Sequence, residues 1–98
     1  MAMQFDVKST RRTTAGSIYD YRTRVKGIYV SPAISTAATL ELRDGGATGN
    51  ILCQIDVPSV AAPVPYYISV PGEGMLHLTN VYLTFSVGSV TGVTVFYG

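Results

Sequence analysis

Ala37-Ala38-Thr39-Leu40-Glu41-Leu42-Arg43, then Asp44-Gly45-Gly46-Ala47-Thr48-Gly49-Asn50, then Ile51-Leu52-Cys53-Gln54-Ile55-Asp56-Val57: two alternating runs around a glycine-rich turn decide the fold class. In the first run Leu40 and Leu42 point one way, with Glu41 and Arg43 pointing the other. In the return run Ile51, Cys53, Ile55 and Val57 share one face and Leu52, Gln54 and Asp56 the other. A period of two is the mark of a half-buried strand. The glycines between the runs supply the positive φ angles that a reversal needs.

The same pattern spreads in both directions. Ser17 to Val30 reads as one strand, with Tyr19, Tyr21, Thr23 and Val25 on one face and Asp20, Arg22, Arg24 and Lys26 on the other. At Gly27 the apolar parity changes, which predicts a bulge that resets the pleat. Ser31-Pro32-Ala33 opens a loop. Pro58 to Pro65 holds three prolines and is expected to cross between sheets or along an edge. Tyr66 to Val70, Met75 to Leu78, Val81 to Val87 and Gly92 to Tyr97 follow as strands. Pro71-Gly72-Glu73-Gly74 forms a tight turn, and Gly88-Ser89 the centre of a two-residue hairpin loop.

Seven or eight strands at this spacing, with no helical period, predict an all-β chain. Short hairpins and one long proline-rich crossing favour a single jelly-roll-like or Greek-key β-sandwich over a meander. The expected organisation is a basic N-terminal arm, 1–16, and a β-sandwich domain, 17–98. Within the arm, the run Ser9 to Thr14 reads as an exposed segment or a first edge strand.

Charge divides along the chain. Lys8, Arg11, Arg12, Arg22, Arg24 and Lys26 face only Asp6 and Asp20 in the first part, a net of +4. Arg43 stands against Glu41, Asp44, Asp56 and Glu73 in the rest, a net of −3. Charged residues make up 13% of the chain, against about 25% in an average soluble domain. A surface so poor in charge suits coverage by other subunits, because interface cores are depleted in charge. One cysteine excludes an intrachain disulfide and points to a reducing compartment. No apolar run is long enough to span a membrane.

No residue set stands out as catalytic, cofactor-binding or metal-ligating. His77 is the only histidine, and it reads as a solvated or interface residue on a strand. The Asp44–Asn50 turn opens a strand, not a helix, so it lacks the field that holds phosphate. It also offers too few oxygens for calcium. Cys53 reads as a small buried hydrophobe. Tyr19 and Tyr21 could stack single-stranded nucleic acid, but alternation sets them opposite Arg22 and Arg24, so core and interface packing is favoured. The basic arm has three readings: a solvated tail, a segment lying on an acidic neighbour, or a nucleic-acid contact. Arg11, Arg12, Arg22, Arg24 and Lys26 are the candidate docking residues. The last three also suit an edge strand that refuses wrong partners.

The segment Leu40 to Gly49, the turn Pro71-Gly72-Glu73-Gly74 and the ending Val93-Thr94-Val95-Phe96-Tyr97-Gly98 resemble small β-sandwich structural proteins of tailed bacteriophages. The similarity is to those of short-tailed marine and cyanobacterial phages in particular, and it spans about the last two thirds of the chain. It implies a virion component made in the bacterial cytoplasm. The favoured role is a capsid decoration (cement) protein, commonly trimeric, that bridges major capsid subunits. A tail or fibre-attachment protein is the alternative, and a carbohydrate-binding β-sandwich module a more distant one. For want of any general-base pair or ligand set among these residues, no enzyme and no cofactor are expected.

Overall fold

The computed structural model describes residues 7–86 and 88–98. They form nine strands: β1 (Lys8–Arg12), β2 (Gly16–Tyr19), β3 (Thr23–Pro32), β4 (Ala38–Asp44), β5 (Asn50–Val57), β6 (Tyr66–Ser69), β7 (Met75–His77), β8 (Val81–Thr84) and β9 (Val90–Tyr97). Every pairing is antiparallel. One sheet runs β1-β9-β3-β6 with β7 also on β3, and the other runs β2-β8-β4-β5.

This order identifies the winding. Laid out as one long hairpin folded at the β4–β5 turn, the chain pairs β1 with β9, β2 with β8, β3 with β6 and β7, and β4 with β5. All four rungs are present. Rolling that hairpin adds β3–β9 and β4–β8, which are also present. A sandwich wound in this way is a jelly roll. β6 and β7 act as one interrupted strand, covering successive stretches of β3 on either side of the Pro71–Gly74 turn. Gly74 is fixed there twice over: its φ is 98°, and a Cβ would sit 2.6 Å from the Val25 carbonyl oxygen.

The core lies between the sheets, filled by alternate residues of each strand. Val25, Ile28 and Val30 of β3 and Val93 and Val95 of β9 meet Leu40 and Leu42 of β4 and Val81 and Leu83 of β8, all essentially inaccessible. The Gly27 bulge is present. The β3–β9 register slips between Val25 and Gly27, so Val25 and Ile28 both point inward although three residues apart.

Four expectations are corrected. Ser17 to Val30 is two strands in different sheets, because Asp20, Tyr21 and Arg22 form the crossing between β2 and β3. Alternation cannot reveal that break, since the polar parity runs on through the connection. Gly88-Ser89 is not a hairpin centre, because β8 and β9 belong to different sheets. Its turn, closed by Ser89 N–H donating to the Ser86 carbonyl at 3.1 Å, carries the chain across the sandwich. β3 continues through Pro32, where a loop was expected, since a proline is tolerated at the end of a ladder. The strand count is nine because Ser17 to Val30 divides into β2 and β3 and Lys8–Arg12 forms a strand of its own. The Pro58–Pro65 crossing does join the two sheets, and Lys8–Arg12 takes the edge-strand form of its two readings, paired to β9.

Candidate docking face

The outer face of the five-stranded sheet is set by register. Two rungs run straight across four strands: Ser9, Phe96, Gly27 and Ser69 in one, and Arg11, Thr94, Tyr29 and Tyr67 in the next. Glycine at 27 lets the Tyr67 ring lie across β3, its phenol end occupying the place a Cβ would take. Tyr67 meets Phe96 edge-on, with ring centroids 5.9 Å apart, yet stays 54% exposed. On the same face the Arg11 guanidinium lies over Gly92. The result is a strip of aromatic and guanidinium groups, with Tyr67 exposed and Phe96 half-buried edge-on to it.

The candidate cations divide. Arg11 is exposed on this face, and Arg24, half-buried opposite Leu76, stands at its far end. Arg22 is exposed in the β2–β3 crossing. Lys26 occupies the bulge and donates to the Glu73 carbonyl at 2.8 Å, lying over the β6–β7 turn. Arg12 points to the other side of β1, and its guanidinium donates to the carbonyls of Thr14 (3.1 Å), Ser17 (3.3 Å) and Ala15 (3.4 Å). It staples the β1–β2 connection. Arg22, Arg24 and Lys26 therefore do not form one row on one strand.

Among the described carboxylates, Glu73 borders this sheet in the β6–β7 turn, and Glu41, Asp44 and Asp56 lie elsewhere. Among the described residues, none of the two rungs' positions is a carboxylate. Glu41 and Asp56 stand on the outer face of the four-stranded sheet, paired with Gln54 and Thr39. There Arg43 donates to Glu41 at 2.7 Å and to the Gly49 carbonyl at 3.0 Å, and Thr84 donates to the same Glu41 oxygen at 3.0 Å. The Arg43 bond, then the Thr84 bond, hold the Glu41 carboxyl below its ordinary range.

Asp44, His77 and Asn80 form a separate polar joint. The Asp44 carboxylate accepts from the backbone N–H of Thr79 (2.8 Å), Leu78 (3.1 Å) and Asn80 (3.3 Å). In return, Asn80 Oδ1 accepts from the N–H of Gly45 (2.9 Å) and Gly46 (3.1 Å). His77 beneath it is fully buried, against the solvated position expected of it. The short β7 leads into this joint, which draws the ring into the sandwich. Its Nδ1 lies 3.1 Å from the Asn80 carbonyl and so donates, while Nε2 has no hydrogen-bond partner. The Arg43 carbonyl is near enough only to favour the protonated ring slightly, and desolvation dominates, pushing the imidazole below its usual range. The Asp44 carboxyl is also held low, chiefly by the Thr79 amide. The carboxylate held by three amides and the buried ring beneath it tie the two loops together.

A shallow cleft of about 370 Å³ between Ala37–Thr39, Asp56, Val57, Ser86 and Ser89 holds one titratable group, Asp56, and so no acid–base pair. Among the described residues, no cluster of His, Cys, Asp and Glu has metal-binding geometry, and no helix is long and apolar enough to cross a membrane. Cys53 is half-buried on β5, less covered than expected because that strand is an edge, and burial raises its thiol pKa.

Sequence reading did not pick out Tyr29, Tyr67 and Phe96 as a group. They come from three strands, and only the register of those strands brings them together. Comparison with family models, curated proteins and solved structures finds no match.

Proposed function

We propose that this chain is a non-catalytic structural subunit of a tailed-bacteriophage virion, a capsid decoration protein that docks through the outer face of its five-stranded sheet onto an acidic surface of the shell. The observation that carries this reading is the composition of that face: Tyr29, Tyr67 and Phe96 between Arg11 and Arg24, with no carboxylate in either rung. Exposed aromatic and arginine side chains are the residues most enriched at the centres of protein interfaces. Docking of this kind stabilises a shell by mass action, because the subunit binds the assembled lattice and not the dissociated protein. The same fold and face would serve a tail-attachment protein, and the copy number per particle separates the two locations.

The test is addition of the purified protein to shells that lack it, followed by co-sedimentation across a salt series. Wild type is expected to bind with an affinity that falls as salt rises. Arg11→Glu with Arg24→Glu abolishes binding, and Tyr67→Ala weakens it. Binding indifferent to all three substitutions refutes the proposal.

A second reading, a carbohydrate-binding module, is favoured by one observation. The exposed Tyr67 ring reaches across Gly27 and offers an aromatic surface on which a sugar would stack. It predicts glycan binding that is lost in Tyr67→Ala but insensitive to salt.

A further inference from the structure

Four strand edges border the two sheets, and three are guarded against pairing with another chain. β1 carries Lys8, Arg11 and Arg12 within five residues. β2 has four residues, is bulged, and its Ser17 carbonyl already accepts from Arg12. The far edge of the five-stranded sheet is cut into β6 and β7 by a proline-containing turn. Charge, shortness and interruption are the means by which natural sheets prevent edge-to-edge association.

β5 has none of these. It runs eight residues, Asn50–Val57, without Lys, Arg or Pro, and Asp56 is its one charge. Its backbone makes no hydrogen bond to any described residue outside β4. Ile51 and Leu52 on it are 45% and 40% exposed.

We propose that β5 is the contact between two copies of this chain, pairing antiparallel with β5 of the second copy about a two-fold axis normal to the sheet. The strand is self-complementary in that arrangement. Such an axis keeps both inner faces on one side, so opposed residues must share a face. Over the regular stretch Cys53–Val57 the inner residues are Cys53, Ile55 and Val57 and the outer ones Gln54 and Asp56. Antiparallel self-pairing therefore matches apolar with apolar and polar with polar. With the axis at Ile55, Asp56 of each copy faces Gln54 of the other, and the two Asp56 carboxylates are not directly opposed. Parallel pairing would set them level, and no two-fold axis can relate parallel neighbours within one sheet without turning one over.

The product is a continuous eight-stranded sheet held by main-chain hydrogen bonds, with each strand as the other's added edge. It leaves the face bearing Tyr67 and Arg11 free, so it stands independently of what that face docks on. A two-fold contact also differs from the three-fold association that the phage resemblance implies.

The experiment is sedimentation equilibrium of the full chain from low micromolar to sub-millimolar concentration. It is paired with hydrogen exchange and with labelling of Cys53, the sole thiol, by a maleimide. Wild type is expected to shift from monomer to dimer, with β5 amides gaining protection and Cys53 labelling slowing as the dimer fills. Gln54→Lys with Asp56→Lys, both at exposed positions and facing each other across the proposed contact, should leave circular dichroism unchanged and hold the chain monomeric. Tyr67→Lys should still dimerise. A monomer at every concentration, or an oligomer that survives the two lysines, overturns the proposal. So does a trimer, or association without protection of β5. If the double-lysine chain misfolds, the wild-type exchange and labelling data decide alone.

Discussion

Replacing Asp44 with alanine removes the joint between the β4–β5 turn and the β7–β8 connection, just beyond the end of the β4–β8 ladder. In the folded chain its carboxylate takes three backbone amides, at 2.8, 3.1 and 3.3 Å, and Asn80 returns two acceptor contacts to Gly45 and Gly46. A hydrogen bond to a charged group contributes about 1.5–3 kcal/mol when water is excluded. Both loops are partly solvated, so freed amides can bond water, and about 0.5–1 kcal/mol per bond is the appropriate discount. Asp44→Ala is expected to cost about 2 kcal/mol and Asn80→Ala about 1 kcal/mol. For a domain of this size the first corresponds to a fall in Tm of about 10 °C.

Since both residues hold the same two loops, losing one leaves less for the other to contribute. The double variant should fall short of the sum by about 0.5 kcal/mol or more. Urea unfolding followed by circular dichroism measures all four corners of the cycle, with m unchanged. Acid provides an internal check. The folded carboxyl titrates below its unfolded value of about 3.9. Its contribution is therefore complete above that pH and is lost as pH falls through the depressed folded value. Wild type and Asp44→Ala should converge in strong acid. A loss under about 0.5 kcal/mol at neutral pH, or strict additivity, would refute the reciprocal joint.

Burial holds the His77 ring neutral in the folded chain. As pH drops below about 6.5 the unfolded chain takes the proton first, and stability declines by at most about 1.4 kcal/mol per pH unit until the lower folded value is reached. His77→Leu should flatten the Tm profile between neutrality and mild acid, and an unchanged slope would count against the assignment. Gly74→Ala should destabilise by about 2 kcal/mol, since it meets both a positive φ and the Val25 carbonyl. Gly46→Ala, with φ 92° but open space around it, should lose only about 1 kcal/mol, so equal losses in urea melts would contradict the steric part. Leu42→Ala, at a core position 1% exposed, should lose about 3 kcal/mol by the same measurement, and a loss under about 1 kcal/mol would show that the site relaxes freely.

The β4–β5 hairpin was legible because its alternation and glycine turn are local, and the bulge at Gly27 because a parity change can be read along one strand. The break between β2 and β3 was not legible, because Asp20, Tyr21 and Arg22 keep a strand's alternation while crossing between sheets. His77 shows the limit most clearly. Its neighbours Leu76 and Leu78 are the outward residues, and hydrophobicity alone cannot say which parity faces in. What fixes the parity is the Asp44–Asn80 joint, made by residues far apart in the chain. The aromatic strip fails for a similar reason. Tyr29, Tyr67 and Phe96 acquire a common face only once the register of β3, β6 and β9 is set, and the notion of tyrosines opposed to arginines rested on a strand that does not exist as one piece. Arg12 was legible as a cation but not as a staple, because its three carbonyl partners belong to a turn whose path composition does not reveal.

The accessible surface is 5572 Å², and a compact monomer of this mass exposes about 5,400 Å² by the usual scaling. The buried apolar residues between the two sheets form one core cluster, so the body closes a core of its own. Under the docking and dimer proposals, neighbours would attach to a finished object, through groups that contribute little to its folding. Leu42, Asp44, His77 and Asn80 hold the sandwich together, whereas Arg11, Tyr67, Leu52 and Gln54 face outward and are replaceable without opening it. Low charge is then a matter of placement. Arg12 and the Arg43–Glu41 pair are engaged internally, and Lys26 is tied to a turn. Lys8 lies over the Tyr19 ring and Arg22 sits in the β2–β3 crossing, which leaves Arg11 and Arg24 to mark the outer face of the five-stranded sheet. Folding and assembly become separable by mutation, and a substitution that abolishes association while raising no sign of unfolding is the signature this separation requires.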